Sequence, residues 1–268
     1  MRNVSSKAQR HFEMFKKLLS RILSDKPTEL RKGLGTPELP FEIYRGKQPI
    51  TSNDFKKIVN EIFLPKILEL GFEGKDFFFY RENPIYTEVV FFWTYKTGGA
   101  IQVDLLVKFN NITYPGDKKL IKTKQIRSIN AEFQKRLSPN GEKNRQGQEV
   151  WFWIFKDHIE ENTKIVEDIW RVFSHRGIEY FNQFQDHSEY LRQITMSNYL
   201  DFPDFHINRF FGKHEAGIIY FLFRYWQEQQ DEVKTMEFAK LGLTKFSNEN
   251  DNIYLLPFKN YLDQKAIE

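Results

Sequence analysis

The sequence predicts an α+β fold: a mainly antiparallel sheet of about four to five strands, packed by N-terminal helices and by a C-terminal helical region. Three observations predict it. Three β-prone runs follow one another between residues 77 and 109 with only tight turns between them, and strands joined that way must pair antiparallel. Apolar residues at three- and four-residue spacing flank this block on both sides, which is the period of an amphipathic helix. No helical stretch separates the first three strands, so a doubly wound parallel sheet is not expected.

The elements follow in order. Residues 5–24 place Phe12, Phe15, Leu19, Ile22 and Leu23 on one helical face, with Lys16, Lys17 and Arg21 around it. Pro27, Gly33, Gly35, Pro37 and Pro40 then mark a loop. Ser52 offers an N-cap to a second helix carrying Phe55, Ile58, Val59, Ile62, Phe63 and Ile67, with Pro65 inside it and Gly71 as its stop. Phe77–Tyr80 begins the strands. Glu82, Asn83 and Pro84 turn the chain into residues 85–96, and Gly98 with Gly99 turns it again into residues 100–109. In that last strand Ile101, Val103, Leu105 and Val107 alternate with Gln102, Asp104, Leu106 and Lys108, a pattern with one apolar and one mostly polar face. The polar stretch 110–148 is read as an insert holding an edge strand (119–127) and a short helix (130–137). Residues 149–156 form a further strand, residues 158–174 a helix closed by Gly177, and 180–184 a short helix. Helices at 188–199, 213–229 and 231–240 follow, with Gly212 and Gly242 as breakers. The domain reading is 1–40 for the first helix and loop, 41–186 for the α+β core, and 187–268 for helices packed on that core.

Composition narrows the chemistry. At 268 residues and 40% hydrophobic, the chain can bury a sizeable core and is not globally disordered. It has no Cys, which excludes disulfides, thiolate metal sites and Cys nucleophiles and fits a reducing compartment. No window approaches the apolar length of a membrane span, so the cytoplasm is the expected location. Residues 1–149 hold 27 Lys+Arg against 17 Asp+Glu, and residues 150–268 hold 13 against 19, so the halves carry +10 and −6. Lys118, Lys119, Lys122, Lys124 and Arg127 make the densest basic patch, suited to phosphates or to an acidic protein. Phe133 is the only aromatic between residues 118 and 145, which argues against a nucleic-acid surface of interleaved cations and rings.

The usual signatures of nucleotide binding, serine hydrolysis and zinc proteolysis are missing. Glu88, Asp104 and Lys108 lie on adjacent strands and are the candidates for a metal-dependent nuclease site, in which carboxylates hold Mg²⁺ and a lysine steadies water. Their spacing departs from the acid-x-Lys pattern such sites use. No two of His158, His175, His187, His206 and His214 stand four apart on one helix, so no metal is assigned; Glu161 beside His158 makes at most one edge of a site. The strands are crowded with rings, and Trp93, Tyr95, Trp151 and Trp153 are the natural anchors for a partner if one face is left open.

Residues 52–184 also carry a resemblance. Leu70-Gly71-Phe72 after a helix, Phe78-Phe79-Tyr80-Arg81 as a strand, the strand pair 87–108, Trp151 opening a strand, and a helix running from Ile169 to Gly177 and on to Phe181 together resemble the bacterial family of unknown function numbered 4304. Gly212 to Ala216 fits a late helical phrase of that family. The chain departs from the family pattern at Gln102 and Asp104. The resemblance implies an α+β fold and a bacterial source, and it implies no activity.

The resulting expectation is a cytoplasmic, non-catalytic module that binds another protein, in an immunity or defence-accessory setting, with no cofactor. The alternative is nucleic-acid binding through residues 118–145, with a degenerate nuclease site at Glu88, Asp104 and Lys108.

Overall fold

A computed structural model describes residues 50–94, 99–116, 120–139, 150–202, 215–248 and 253–267. The expected helix at 5–24, the loop after it, Tyr95, Lys118, Lys119, His206 and His214 lie outside them. All the described residues belong to one unit, residues 42–268.

Helix α1 spans Ser52–Glu69. Thr51, one residue before the expected cap, accepts the Asp54 N–H at 3.1 Å, satisfying one of the orphan donors at a helix start. Its apolar face, Phe55, Ile58, Val59, Phe63 and Ile67, is buried. The meander follows: β1 (Glu73–Lys75), β2 (Phe78–Glu82), β3 (Tyr86–Thr94) and β4 (Ala100–Phe109), each antiparallel to the next. Strand β5 (Phe133–Leu137) extends the sheet beyond β4, and β6 (Trp153–Ile154) pairs with the beginning of β4. The fold is α+β with an antiparallel sheet.

Several elements differ from expectation. Residues 130–137 contain no helix: Phe133–Leu137 is strand β5, and the described part of the edge strand expected at 119–127, residues 120–127, is instead irregular chain around a 3₁₀ turn at Thr123–Gln125. The strand at 149–156 shrinks to two paired residues. Helix α2 (Ile159–Val172) does not end at Gly177. It widens into a π turn over Phe173–Gly177 and continues as α3 (Ile178–Asn182). Gly177 keeps helical angles, and its role is space: a Cβ there would lie 2.4 Å from the Phe173 ring. Gly242 likewise sits inside a helix, where a Cβ would lie 2.3 Å from the Phe258 ring. The remaining helices are α4 (His187–Arg192), α5 (Glu215–Glu228), α6 (Glu232–Phe246) and α7 (Leu255–Lys265).

Alternation gives the sheet two faces. Phe79, Tyr86, Val90, Phe92, Ile101, Val103, Leu105, Val107, Phe109, Phe133 and Leu137 share the first, with the helices against them. Phe63 of α1 meets the rings of Phe79, Phe92, Trp170 and Phe173 within 5.1–5.5 Å. Phe221 and Tyr225 of α5 lie 5.2 and 5.4 Å from the Phe109 ring, so the C-terminal helices reach the same core.

The second face is also covered in part, although the alternation in β4 reads as mostly polar there. Val89 and Leu106 form a separate buried cluster with Ile126 and Ala131, flanked by Phe78, Tyr80, Phe91 and Ile121. The basic insert, which joins β4 to β5, supplies that cover: Ile126 and Ala131 pack on Val89 and Leu106, and Arg127 lies over Phe78 and Phe91.

Candidate functional site

The register decides the fate of the nuclease candidates. Glu88 pairs with Val107 and so lies on the helix-packed face, whereas Asp104 pairs with Phe91 on the other. Side chains of opposite parity leave a sheet in opposite directions, so these carboxylates cannot share a metal. Each is committed elsewhere. Glu88 accepts from Arg81 Nε at 2.6 Å; burial pushes its carboxyl up, and the Arg81 guanidinium pulls it partly back. Arg81 also donates to the Leu70 carbonyl at 2.9 Å and lies over the Phe72 ring, which ties the end of α1 to the sheet. Asp104 takes two bonds from Arg136, at 2.7 and 3.3 Å, and is reached by the Ser128 hydroxyl at 3.5 Å.

Lys108 is fully enclosed by acceptors. Its ammonium donates to Glu132 Oε1 at 2.8 Å, the Phe109 carbonyl at 2.8 Å and the Ile112 carbonyl at 3.0 Å. Glu132 also accepts from the Tyr114 hydroxyl at 2.9 Å and the Phe109 N–H at 2.7 Å. Burial, reinforced by the Glu132 charge, pushes the Tyr114 phenol well above its usual range, so it stays a donor. The network clamps the start of the insert to the start of β5. Among the described residues, no group of three or more His, Asp or Glu is arranged to hold a metal. Glu88, Asp104 and Lys108 are thus not brought together: each is held by its own partner, Arg81, Arg136 and Glu132.

The partner anchors divide. Trp153 is buried in the main core and donates its indole N–H to Asp168 at 2.8 Å; it is no docking residue, because its strand places it on the helix-packed face with Ile101. Trp93 is 42% exposed and Trp151 48%. Trp93 stands on the second face, its ring edge-on to Phe91 at 5.6 Å. Phe91 is in turn 6.1 Å from Phe78. Arg127 lies over both of these rings, 4.9 Å from the Phe91 centroid and 5.1 Å from that of Phe78. Its Nη1 donates to the Lys124 and Ile126 carbonyls. Lys122 and Lys124 are exposed beside it. No carboxylate pairs with Lys122, Lys124 or Arg127 among the described residues.

Two features of the sequence expectation thus meet on one face. The rings that the insert lacks are supplied by β2 and β3. Only the pairing of strands creates that contact. Leu120 and Ile129, which sequence reasoning passed over, are 50% and 62% exposed within the same strip.

One histidine is placed unusually. His187 Nδ1 lies 2.6 Å from the Tyr225 hydroxyl, which is 3.1 Å from the Ser188 hydroxyl. Its ring contacts Tyr86, Phe109 and Tyr225 edge-on. Burial lowers its pKa, against the raising effect of Asp186. A depressed histidine stays neutral in the fold while the unfolded chain takes up a proton, so stability falls as pH drops through the unfolded value near 6.5. His187→Gln is expected to remove that component. The loss in urea midpoint between pH 7.5 and 5.5 should shrink in the variant, and an unchanged loss would show that His187 does not contribute it.

Scanned against family models, curated proteins and solved structures, the chain gives no match. No helix among the described residues is long and apolar enough to cross a membrane.

Proposed function

We propose that the chain is a non-catalytic protein-binding module that docks its partner on the second face of the sheet. Trp93 is the central anchor, and Lys122, Lys124 and Arg127 form a cationic rim. One observation carries the reading. The exposed Trp93 indole touches Phe91, and Phe91 holds the Arg127 guanidinium over its face, so an apolar anchor and cations without acidic partners form a continuous surface. An aromatic centre with a charged rim is the pattern of energetically dominant interface residues. Trp151 is exposed as well, two residues before β6.

The test is a photo-crosslinking amino acid at position 93, with position 159 as control, since Ile159 is exposed on α2. The probe proteins are added to nuclease-treated extract of the source cells. A discrete protein adduct at 93, absent at 159, and competed by unlabelled wild type but not by Trp93→Ala, supports the reading. Equal labelling at both positions, or competition indifferent to Trp93→Ala, overturns it.

The same contact favours a second reading, binding of single-stranded nucleic acid, because stacking rings beside cations are what such strands use. Labelled DNA and RNA at about 50 and 200 mM salt separate the two, since phosphate contacts make affinity fall steeply with salt.

A further inference from the structure

We infer that the occupant of this face is an acidic peptide segment with aliphatic or aromatic anchors, not a nucleic acid; the inference rests on the docking reading above. The first argument is charge. Asp104 lies on this face but is buried and neutralised by Arg136. Glu82 and Glu73 accept from the Thr123 and Tyr80 hydroxyls and keep their charges, but neither is ion-paired to a lysine or arginine among the described residues, and Lys122, Lys124 and Arg127 outnumber them. The exposed cations Lys122 and Lys124 have no carboxylate partner among the described residues, so a ligand carrying carboxylates would complete the surface.

The second argument is shape and polarity. Leu120 and Ile129 bracket the cations in the strip, and both are at least half exposed. The backbone around Ile129 is held in place: Ser128 reaches Asp104, and the Asn130 side chain accepts the Arg127 N–H at 2.7 Å. Branched aliphatic side chains give a base no ring to stack on, whereas they are ordinary contacts for Leu, Ile or Phe of a peptide. Arg127 is restricted as well. Its Nη1 is occupied by two carbonyls, and its Cζ lies over the Phe91 and Phe78 rings, so fewer of its N–H groups are left for a ligand. A single constrained arginine and two lysines suit a few carboxylates better than a continuous run of phosphates.

The experiment is selection of displayed random 16-residue peptides on the wild-type protein and on Trp93→Ala and Lys122→Glu/Lys124→Glu, at about 150 mM salt, followed by affinity measurement of the enriched sequence. All three proteins are first checked for equal thermal unfolding. The expected result is enrichment of sequences pairing acidic with large apolar residues. Their affinity should fall about 30-fold or more on Trp93→Ala, as for a dominant anchor, and about tenfold on the charge reversal. Absence of enrichment on wild type, or enriched sequences without acidic residues, overturns the inference. A 20-residue oligothymidine that binds more tightly than any peptide, and loses binding on Trp93→Ala, also overturns it; in that case the face is right and the class of partner wrong. Peptides bound equally by all three proteins place the site elsewhere and remove the docking reading too.

Discussion

Glu132→Ala is expected to lower the free energy of unfolding by about 3–5 kcal/mol, the usual cost of removing one partner from a buried ion pair. Both side chains are almost wholly enclosed, at 5% and 0% exposure for Lys108 and Glu132. With Glu132 gone, the ammonium keeps two carbonyls but loses the carboxylate, and the Tyr114 hydroxyl loses its bond to Glu132. The double variant Lys108→Met/Glu132→Leu should recover much of the loss, because it buries no charge. Urea unfolding of wild type, Glu132→Ala, Lys108→Met, Glu132→Leu and the double variant at pH 7 measures the loss and the coupling. A single-variant loss below about 1 kcal/mol, the range of a surface ion pair, would show that the pair is solvated and would return Lys108 to consideration as a functional lysine.

Phe63→Ala should cost a similar amount, about 3–5 kcal/mol, as for a large aromatic removed from a packed core. Phe63 has no exposed surface. Its ring is the meeting point of α1, β2, β3 and the α2–π turn segment, through Phe79, Phe92, Trp170 and Phe173. A cavity there cannot close by shifting one neighbour, because the four rings belong to different elements. Phe63→Leu, which leaves less empty volume, should cost distinctly less. Equal losses for the two variants would mean that the site relaxes around the cavity.

Much of the fold was legible because the evidence was local. The hairpin 86–109 announces itself through β-branched and aromatic runs, and α1 through its spacing. Failures arose where two explanations fit the same residues. Phe133 and Leu137 stand four apart, which is both one helical turn and an even strand interval, so residues 130–137 read as helix until β4 offers a partner. Gly177 and Gly242 read as breakers because their reason for being glycine is a ring distant in sequence or one turn away. The proposed docking face was half legible. Trp93, Lys122, Lys124 and Arg127 stand out in the sequence, but their contact depends on the insert crossing the sheet. The separation of Glu88 from Asp104 could not be read from β3, which is apolar on both faces and so does not declare its inward side.

The crossing strip has a consequence for the order of assembly. Strands β1 to β4 join neighbours through short connections, whereas the Lys108–Glu132 clamp closes across a sequence separation of 24 residues. Closing the longer loop costs more chain entropy before any contact repays it. The meander is therefore expected to form first, with β5 and the strip arriving afterwards. Until they arrive, Phe78, Val89, Phe91 and Leu106 make a bare apolar sheet surface, the kind of transient species that self-associates at high concentration. The cationic strip that we propose for partner docking is thus also a late-closing guard: the folding step that covers the apolar face is the one that builds the proposed docking surface.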